Sequence, residues 1–553
     1  MDPVNSNACI DNSLSPTPGQ PQPEEAPTGF SAGKEVTVYE ESQSSFLNLP
    51  ELTQRIIIRY LGFREITRLK KVCKYLRDLV ENNKALERAW YRQFPSPYQY
   101  QPKTIVRTKD EQQLRNWLKP FADRATVESL LKQQKSIYFP AQLIFTNSKL
   151  MSQCEKFKFV DKTEITHAGK VKTATFSPDD RHLVTASADK TAKIYAQQDD
   201  GSWQSKTTIT HEDLLISANF SADGRHLMTA SADKTVKVYV QENDGSWELK
   251  TTITHNNWVI SATFSADGRH LLTASHNKTA KIYGLEDDGS WKVKATISHD
   301  KLIHLANFSA DGRHVVTVSG DRTVKTHSQW DDSSWKLEDT VHERYVTSAR
   351  LSPDGRHLVI LGVDYTLKIY ARGAAGSWVK KAPLQHKSTI TCVNFSTDSC
   401  HLVTASLDST AKICDLQADG SWQEITSIHH DGAVWAANFS ADGRHLVTAS
   451  ADNTAKIYSH KLNASWEEKA CIHHNGAVNS ANFSADCLHV VTTSDDNTAK
   501  ISGLQVAGSW REKTIIPHNG EVVSASFSAD ARTVMTVSRD NKARITELQK
   551  NDW

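Results

Sequence analysis

The sequence predicts a multidomain chain: a small α-helical region near the N-terminus, then a large all-β array of repeated units. Three combs of residues predict the array. Phe176, Phe220, Phe264, Phe308, Leu351, Phe395, Phe439, Phe483 and Phe527 stand 44 apart, with one interval of 43. Trp203, Trp247, Trp291, Trp335, Trp378, Trp422, Trp466 and Trp510 keep the same beat, as do His167, His211, His255, His299, His342, His386, His430, His474 and His518. One period shared by three residue types means stacked supersecondary units. Each unit reads as four strands. In the second, LLISANF, HLMTAS, TVKVYV and WELKTTIT are separated by Asp-Gly and Asp-Lys turns, which signal hairpins. A four-stranded meander cannot bury both faces alone, so the units must stack around an axis as a closed β-propeller. Nine anchors predict about nine blades, with eight as the alternative.

Composition bounds the rest. With 553 residues, several domains are expected. Sixty-five basic side chains against 64 acidic ones argue against nucleic-acid binding. Eight scattered cysteines without a CxxC pair suit a reducing compartment. No apolar run reaches the roughly 18 residues that span a bilayer, and no secretory signal opens the chain. The expectation is a cytoplasmic or nuclear protein without a membrane segment.

Residues 1–44 are rich in Pro, Ser, Asn, Gln and acids, and read as a disordered arm. Residues 45–95 change to helical periodicity. Pro50 is placed to open a helix, along which Leu52, Ile56, Ile57, Tyr60 and Leu61 share a face until Gly62. A second helix carries Ile66, Leu69, Val72, Cys73, Leu76 and Val80, and a short third carries Leu86, Ala89 and Trp90. Eleven basic and five acidic side chains fall in this stretch. Residues 96–155 hold two more helical patterns, Asp110–Lys119 and Ala125–Lys135, ended by Pro120 and Pro140, and read as a helical linker. The propeller occupies 156–553. Residues 156–167 match the fourth strand of a unit lacking its first three, and 521–548 supply three strands lacking a fourth. The early strand should therefore complete the last blade, leaving no exposed edge.

Two resemblances follow from these residues. Leu49-Pro50-Glu51-Leu52, Val72-Cys73-Lys74 and Trp90 fall where an F-box has them. That resemblance implies docking on the Skp-type adaptor of a cullin-based ubiquitin ligase, with Leu49, Pro50, Leu52, Ile56, Ile57 and Leu61 as the adaptor contacts. The repeats resemble the WD-repeat family, although the Trp-Asp dipeptide is missing. In that family a His, a Ser or Thr, a turn Asp and an aromatic form a buried hydrogen-bonded set, here His167, Ser187, Asp189 and Tyr195. The set degrades elsewhere: Asn277 replaces Asp, Gly362 replaces Ser, and His327, Cys414, Ser502 and Thr546 replace the aromatic.

No nucleophile elbow, phosphate loop or zinc-protease motif occurs, so no catalytic residue, metal or cofactor is assigned. Seventeen of the 23 histidines are repeat positions, spread over different blades, and read as structural. The units can instead be compared with one another, since positions that diverge are free of scaffold duty. Six residues before the anchors stand Trp258, Leu302 and Tyr345, against Ala433 and Ala477; four before stand His304 and Trp435, against Thr391. After the turn Asp or Asn come Lys190, Lys234, Lys278 and Arg322, against Asn453, Asn497 and Asn541. Aromatic anchors with basic neighbours have hot-spot composition. They predict a target-binding face of Trp258, His304, Tyr345 and Trp435, rimmed by Lys234, Lys278 and Arg322. The partner would be a protein, phosphorylated or not. The expected function is substrate recognition for a Skp-cullin-F-box ligase. The alternative is a non-catalytic scaffold without ligase recruitment; near-identical units also suit a bacterial effector working in a host cytosol.

Overall fold

A computed structural model describes Arg77 and residues 111–118, 121–122, 124–132, 134 and 139–550, apart from 199, 331–333, 345, 374–375, 462–464 and 506–507. The predicted arm, the adaptor contacts Leu49, Pro50, Leu52, Ile56, Ile57 and Leu61, and Tyr345 lie outside the described residues. Among the described residues, three helices with bounds precede the array: α1 (Glu111–Leu118), α2 (Arg124–Leu131) and α3 (Phe139–Gln153). Arg115 binds Glu111 one turn earlier at 2.6 Å and Glu128 on α2. Leu114, Leu118, Val127, Leu130, Phe139 and Leu143 form their shared core. The sequence reading had no third helix because it took Pro140 as a terminator. Pro140 is instead the second residue of α3, in the first turn, where a missing N–H costs nothing.

The array is nine sheets, each an antiparallel meander, so the ring has nine blades and not eight. Blade 1 comprises β2 (Val171–Phe176), β3 (His182–Ser187), β4 (Thr191–Gln197) and β5 (Trp203–Thr210). These are strands a to d of a pattern that repeats. The short β-branched runs fix these strands, and Asp-Gly or Asp-Lys turns with a residue at positive φ separate them. Closure is as the sequence predicts. Strand β1 (Phe157–Thr166) pairs antiparallel with Lys542–Lys550, from Phe157↔Lys550 to Thr166↔Lys542, and supplies strand d of blade 9.

A separate apolar cluster fills each interface between blades. Ile165, Val171, Leu183, Trp203 and Ile545 join blade 9 to blade 1; Val184, Ile194, Leu215, Leu227 and Trp247 join blade 1 to blade 2. The Trp comb makes these joints. Trp247 of blade 2 meets its own blade's Phe220 at 5.6 Å and takes the edge of His182 from blade 1 at 5.9 Å and 84°. The histidine beside each turn arginine is thus a packing residue.

Strand a is innermost, since neighbouring a strands bond one another across the axis-facing edge. Asn394 donates to Ala437 O (2.8 Å), Asn438 to Ala481 O (2.9 Å) and Asn482 to Ala525 O (3.1 Å). Helix α3 is tied to the a–b turn of blade 9 and to the start of strand d of blade 8, the opposite side from the d–a loops. Asn147 donates to Asp530 O (3.0 Å) and accepts from Arg532 Nε (2.8 Å), while Lys513 donates to Ser152 O (3.5 Å). Burial pulls the Arg532 pKa down to about 10.

Blade 5 is the irregular one. Its outer strand breaks into Trp378–Lys380 and Leu384–Gln385 around Pro383, which cannot donate to the ladder. Its d–a loop is one residue short, which corrects the histidine comb. Glu343 N, not His342 N, bonds Arg322 O, as His211 N bonds Lys190 O in blade 2. Glu343 takes the histidine position, accepts from Tyr370 Oη (2.6 Å) and pairs with Lys368 (2.9 Å) and Lys380. Burial alone would raise its carboxyl, but those donors pull it to about 2.

Candidate target-binding face

Strand alternation puts the d–a loop and the b–c turn of every blade on one side of the ring. A buried hydrogen-bonded set beneath them fixes both. In blade 1, His167 Nδ1 bonds Asp189 Oδ2 at 2.9 Å and Nε2 bonds the Thr185 hydroxyl at 2.8 Å. Asp189 also accepts from Ala168 N (2.9 Å), Thr191 N (3.0 Å) and Thr191 Oγ1 (2.6 Å). One carboxylate thereby ties the d–a loop to the b–c turn. Burial would raise the Asp189 carboxyl, yet these donors hold it at about 2.

The observed set differs from the sequence expectation at two members. Thr185 and Thr191, not Ser187, bond the side chains of His167 and Asp189. Ser187, at the strand end, donates to Gly169 O (2.9 Å) and accepts from Asp189 N (3.1 Å), capping the turn instead. Among the described residues Tyr195 Oη joins no hydrogen bond of this set; the c–d register shifts between Ile194 and Tyr195, and the ring packs into the joint of blades 9 and 1. His–Asp pairs recur at 211–233, 299–321, 386–408, 430–452 and 474–496. In blade 3, where Asn277 stands for Asp, His255 Nδ1 is buried without a partner.

Above this set each blade presents a small platform. The residue six before the anchor accepts from the residue before the turn Asp or Asn: Trp258 O from His276 N, Leu302 O from Gly320 N, Thr389 O from Leu407 N, each at 2.9 Å. The residue four before the anchor sits at a register shift in every inner strand, between 303 and 305 for His304 and between 434 and 436 for Trp435. The same shift occurs in the other seven blades. Such a bulge re-aims one side chain. His304 and Trp435 are exposed there.

The residue after the turn Asp or Asn has positive φ in all nine blades: Lys190, Lys234, Lys278, Arg322, Tyr365, Ser409, Asn453, Asn497 and Asn541, between 61° and 74°. Asn tolerates that region; longer side chains occupy it at a cost of about 1 kcal/mol.

Trp258 and His304 stand on neighbouring blades 3 and 4, whereas Trp435 lies on blade 7 across the ring. The Trp258 ring stacks on His276 at 6.1 Å and 30°. Lys234, Lys278 and Arg322 are exposed, one per blade on blades 2 to 4. The sequence reading missed His276, Val363 and Leu407, the residues just before the turn Asp or Asn, and did not include Tyr365 in the rim. That column also diverges, with Ala188, Ala232 and Ala451 elsewhere. Trp258, Leu302, Val363, Leu407 and Trp435 are between 39% and 52% exposed, so blades 3 to 7 each present a large apolar group on this face.

Nine four-stranded blades, a carboxylate bridging the histidine loop to its turn in six of them, and a borrowed last strand are the features of a WD-repeat propeller. Sequence comparison agrees: the profile of the WD domain, G-beta repeat, matches 160–196, 203–239, 247–284, 291–328, 379–415, 422–459, 466–501 and 510–546, together just over half of the chain. The F-box domain profile matches 46–87. The chain belongs to the F-box/WD-repeat family. The unmatched interval between 328 and 379 contains the first three strands of blade 5, where Glu343 and Gly362 have replaced the repeat residues. No curated protein sequence matches the chain. Similar solved structures include the C-terminal WD40 domain of Sif2 (12% identity, TM-score 0.48, covering 71% of this chain and 99% of that one). Another is Sqt1 of Saccharomyces cerevisiae (12%, 0.48, 72% and 100%). F-box domains bind Skp-type adaptors and WD propellers bind protein targets, so this F-box/WD-repeat protein has the make-up of a non-catalytic substrate adaptor of ligases of that type. Among its described residues no helix is long and apolar enough to cross a membrane.

Proposed function

We propose that this F-box/WD-repeat protein is the substrate-recognition subunit of a Skp-cullin-F-box ubiquitin ligase. The F-box docks on the adaptor through Leu49, Pro50, Leu52, Ile56, Ile57 and Leu61. The face of d–a loops and b–c turns binds the target through Trp258, His304, Tyr345 and Trp435, with Lys234, Lys278 and Arg322 at its rim. The observation that carries the reading is the F-box match at 46–87 in one chain with a propeller that leaves large apolar side chains exposed on one face. A run of exposed apolar groups on successive blades marks an interaction surface rather than scaffold. Helix α3, bonded to the opposite side of blades 8 and 9, leaves that face open.

Two substitutions separate the two ends. Leu49→Ala with Pro50→Ala should abolish co-purification with the Skp-type adaptor while the propeller melts as before. Trp258→Ala should retain the adaptor and lose proximity-labelled proteins that depend on the box. Adaptor recovery unchanged in the double variant would overturn ligase recruitment.

A further inference from the structure

The target face has an order along the ring that suggests the kind of segment it takes. Cations stand singly on blades 2, 3 and 4, and large apolar groups continue from blade 3 to blade 7. Among the described residues, Lys234, Lys278 and Arg322 make no hydrogen bond or ion pair with their charged ends. Lys190 of blade 1 does, donating to Glu212 O at 2.8 Å, which marks one end of the arc. Beyond Arg322 the same position holds Tyr365, Ser409 and then Asn, which marks the other end of the cationic part. The cations occupy a positive-φ site that Asn fills in blades 7 to 9, so scaffold needs do not explain them.

Their spacing argues about charge. Packed sheets stand about 10 Å apart, so equivalent turns on successive blades are separated by at least about that distance. One phosphate is held best by several cations converging on it. Three cations spread over separate blades match single carboxylates strung along a chain more closely than one point charge. An extended chain advances about 3.3 Å per residue, so one blade step takes about three residues. Glu212, Asp213 and Asp300 stand on the intervening loops and would repel an unbroken acidic run, which again favours spaced acids.

We propose that this face binds an extended segment of a partner protein whose carboxylates, about three residues apart, lie over Lys234, Lys278 and Arg322. The apolar stretch that continues the segment lies over Val363, Leu407 and Trp435. The proposal rests on the target-face reading above and names its substrate class. Five blade steps, from blade 2 to blade 7, correspond to about 15 residues. Trp258, stacked on His276 beside Lys278, lies under the acidic half and supplies a flat surface for the stems of the acidic side chains.

The test uses the full chain and three synthetic 15-residue peptides. One carries Glu at every third position of its first half and Leu or Phe in its second. The second has the same composition with the three Glu contiguous. The third replaces the three Glu by one phosphoserine. The spaced peptide should bind at least tenfold more tightly than either other. Its affinity should fall about threefold on Lys278→Ala or Arg322→Ala at low salt, less at high salt, and about tenfold on Leu407→Ser at any salt. Equal binding of the contiguous peptide, or preference for the phosphopeptide, overturns the proposal. Failure of all three peptides, while Trp258→Ala still loses box-dependent targets, also overturns it and leaves the target face standing.

Discussion

The two halves of the ring solve one local problem in different ways. In blades 1, 7, 8 and 9 the d–a loop carries Gly169, Gly432, Gly476 or Gly520. A Cβ at these positions would stand 2.9, 2.8, 2.8 or 3.2 Å from the backbone nitrogen of the turn Asp. Loop and turn therefore close on one another with nothing between them. In blades 2, 3, 4 and 6 that position holds Asp213, Asn257, Lys301 and Ser388, and blade 5 has lost a residue. There the loop keeps the same bond to the strand end, Ser231 Oγ donating to Asp213 O at 2.9 Å as Ser187 Oγ does to Gly169 O, but it carries a side chain; Leu214 N and Trp258 N are capped by the preceding Asp213 and Asn257. Three of the four glycine-collared blades fill the positive-φ turn with Asn; the open blades use Lys, Arg, Tyr or Ser. Blades 7 to 9 follow local backbone preference at this turn, and the open blades depart from it where side chains reach solvent, though Trp435 of blade 7 also reaches it. Departures of that kind are what a binding surface imposes on a repeat.

Deleting residues 157–166 should do the most damage, because the collared half contains the seam. It removes strand d of blade 9 with buried Phe157 and Ile165, and leaves Lys542–Lys550 as an open edge. Aggregation, or a fall in Tm of about 10 °C or more by calorimetry, is expected. A truncated chain melting like the intact one would mean the ring does not depend on this closure.

Acid should sharpen the contrast between blade 5 and the rest. Burial holds His211, His430 and His474 below the usual imidazole value despite their Asp partners, and takes His255 and His518 to about 4. A folded value below the unfolded one, about 6.5, means the unfolded chain binds more protons between the two. Stability is thus lost as pH falls through 6.5 toward 4. Asp452 and Asp496, at about 2, add a second loss only below about 4. Glu343 in blade 5, also at about 2, titrates in that lower window alone. Amide protection factors, corrected for the intrinsic slowing of exchange at lower pH, should therefore fall between pH 7 and 5 in the histidine loops and stay level in the loop at Glu343. Uniform change across the ring would remove the distinction.

Much of this was legible in the sequence. Repeated anchors gave blade number and order, and the complementary ends at 156–167 and 521–548 gave the closure. Three things were not legible, each for a physical reason. Pro140 begins a helix as readily as it ends one, so α3 stayed hidden. A one-residue deletion before Leu351 can be placed on either side of the histidine, so counting back from the anchor chose His342 over Glu343. The inner-strand bulges leave no trace in composition, so the divergence at His304 and Trp435 could be seen but not the register shift that aims them outward. The face was found from columns that vary. Val363 and Leu407 were missed because the column before the turn Asp or Asn was not compared.

Within the face, Trp258→Ala should weaken target capture most, by about thirtyfold, as truncation of a central aromatic does. Val363→Ser and Leu407→Ser should each cost about tenfold or less. A matching truncation in the collared half, Asn479→Ala, should leave capture unchanged. Capture lost equally in both halves would spread the site around the ring.

The smallest expected effect isolates the turn itself. Lys278, at φ 69°, and Asn453, at φ 69°, hold the same backbone position on blades 3 and 7. Both neighbouring threonines bond the turn side chain alike: Thr279 Oγ1 donates to Asn277 Oδ1 at 2.7 Å and Thr454 Oγ1 to Asp452 Oδ1 at 2.6 Å. Exchanging the two residues therefore changes little but conformational preference and charge. Lys278→Asn should raise stability by up to about 1 kcal/mol, since Asn enters this region more readily than Lys. In a chain this large that is a Tm gain of about 1 °C. Asn453→Lys should lower it by a similar amount. Target capture should move the other way for Lys278→Asn alone, falling severalfold at low salt and less at high salt as the charge is screened. A variant at 278 that gains stability and keeps full capture would show the lysine to be a tolerated accident of the repeat, and would return blade 3 to the scaffold half.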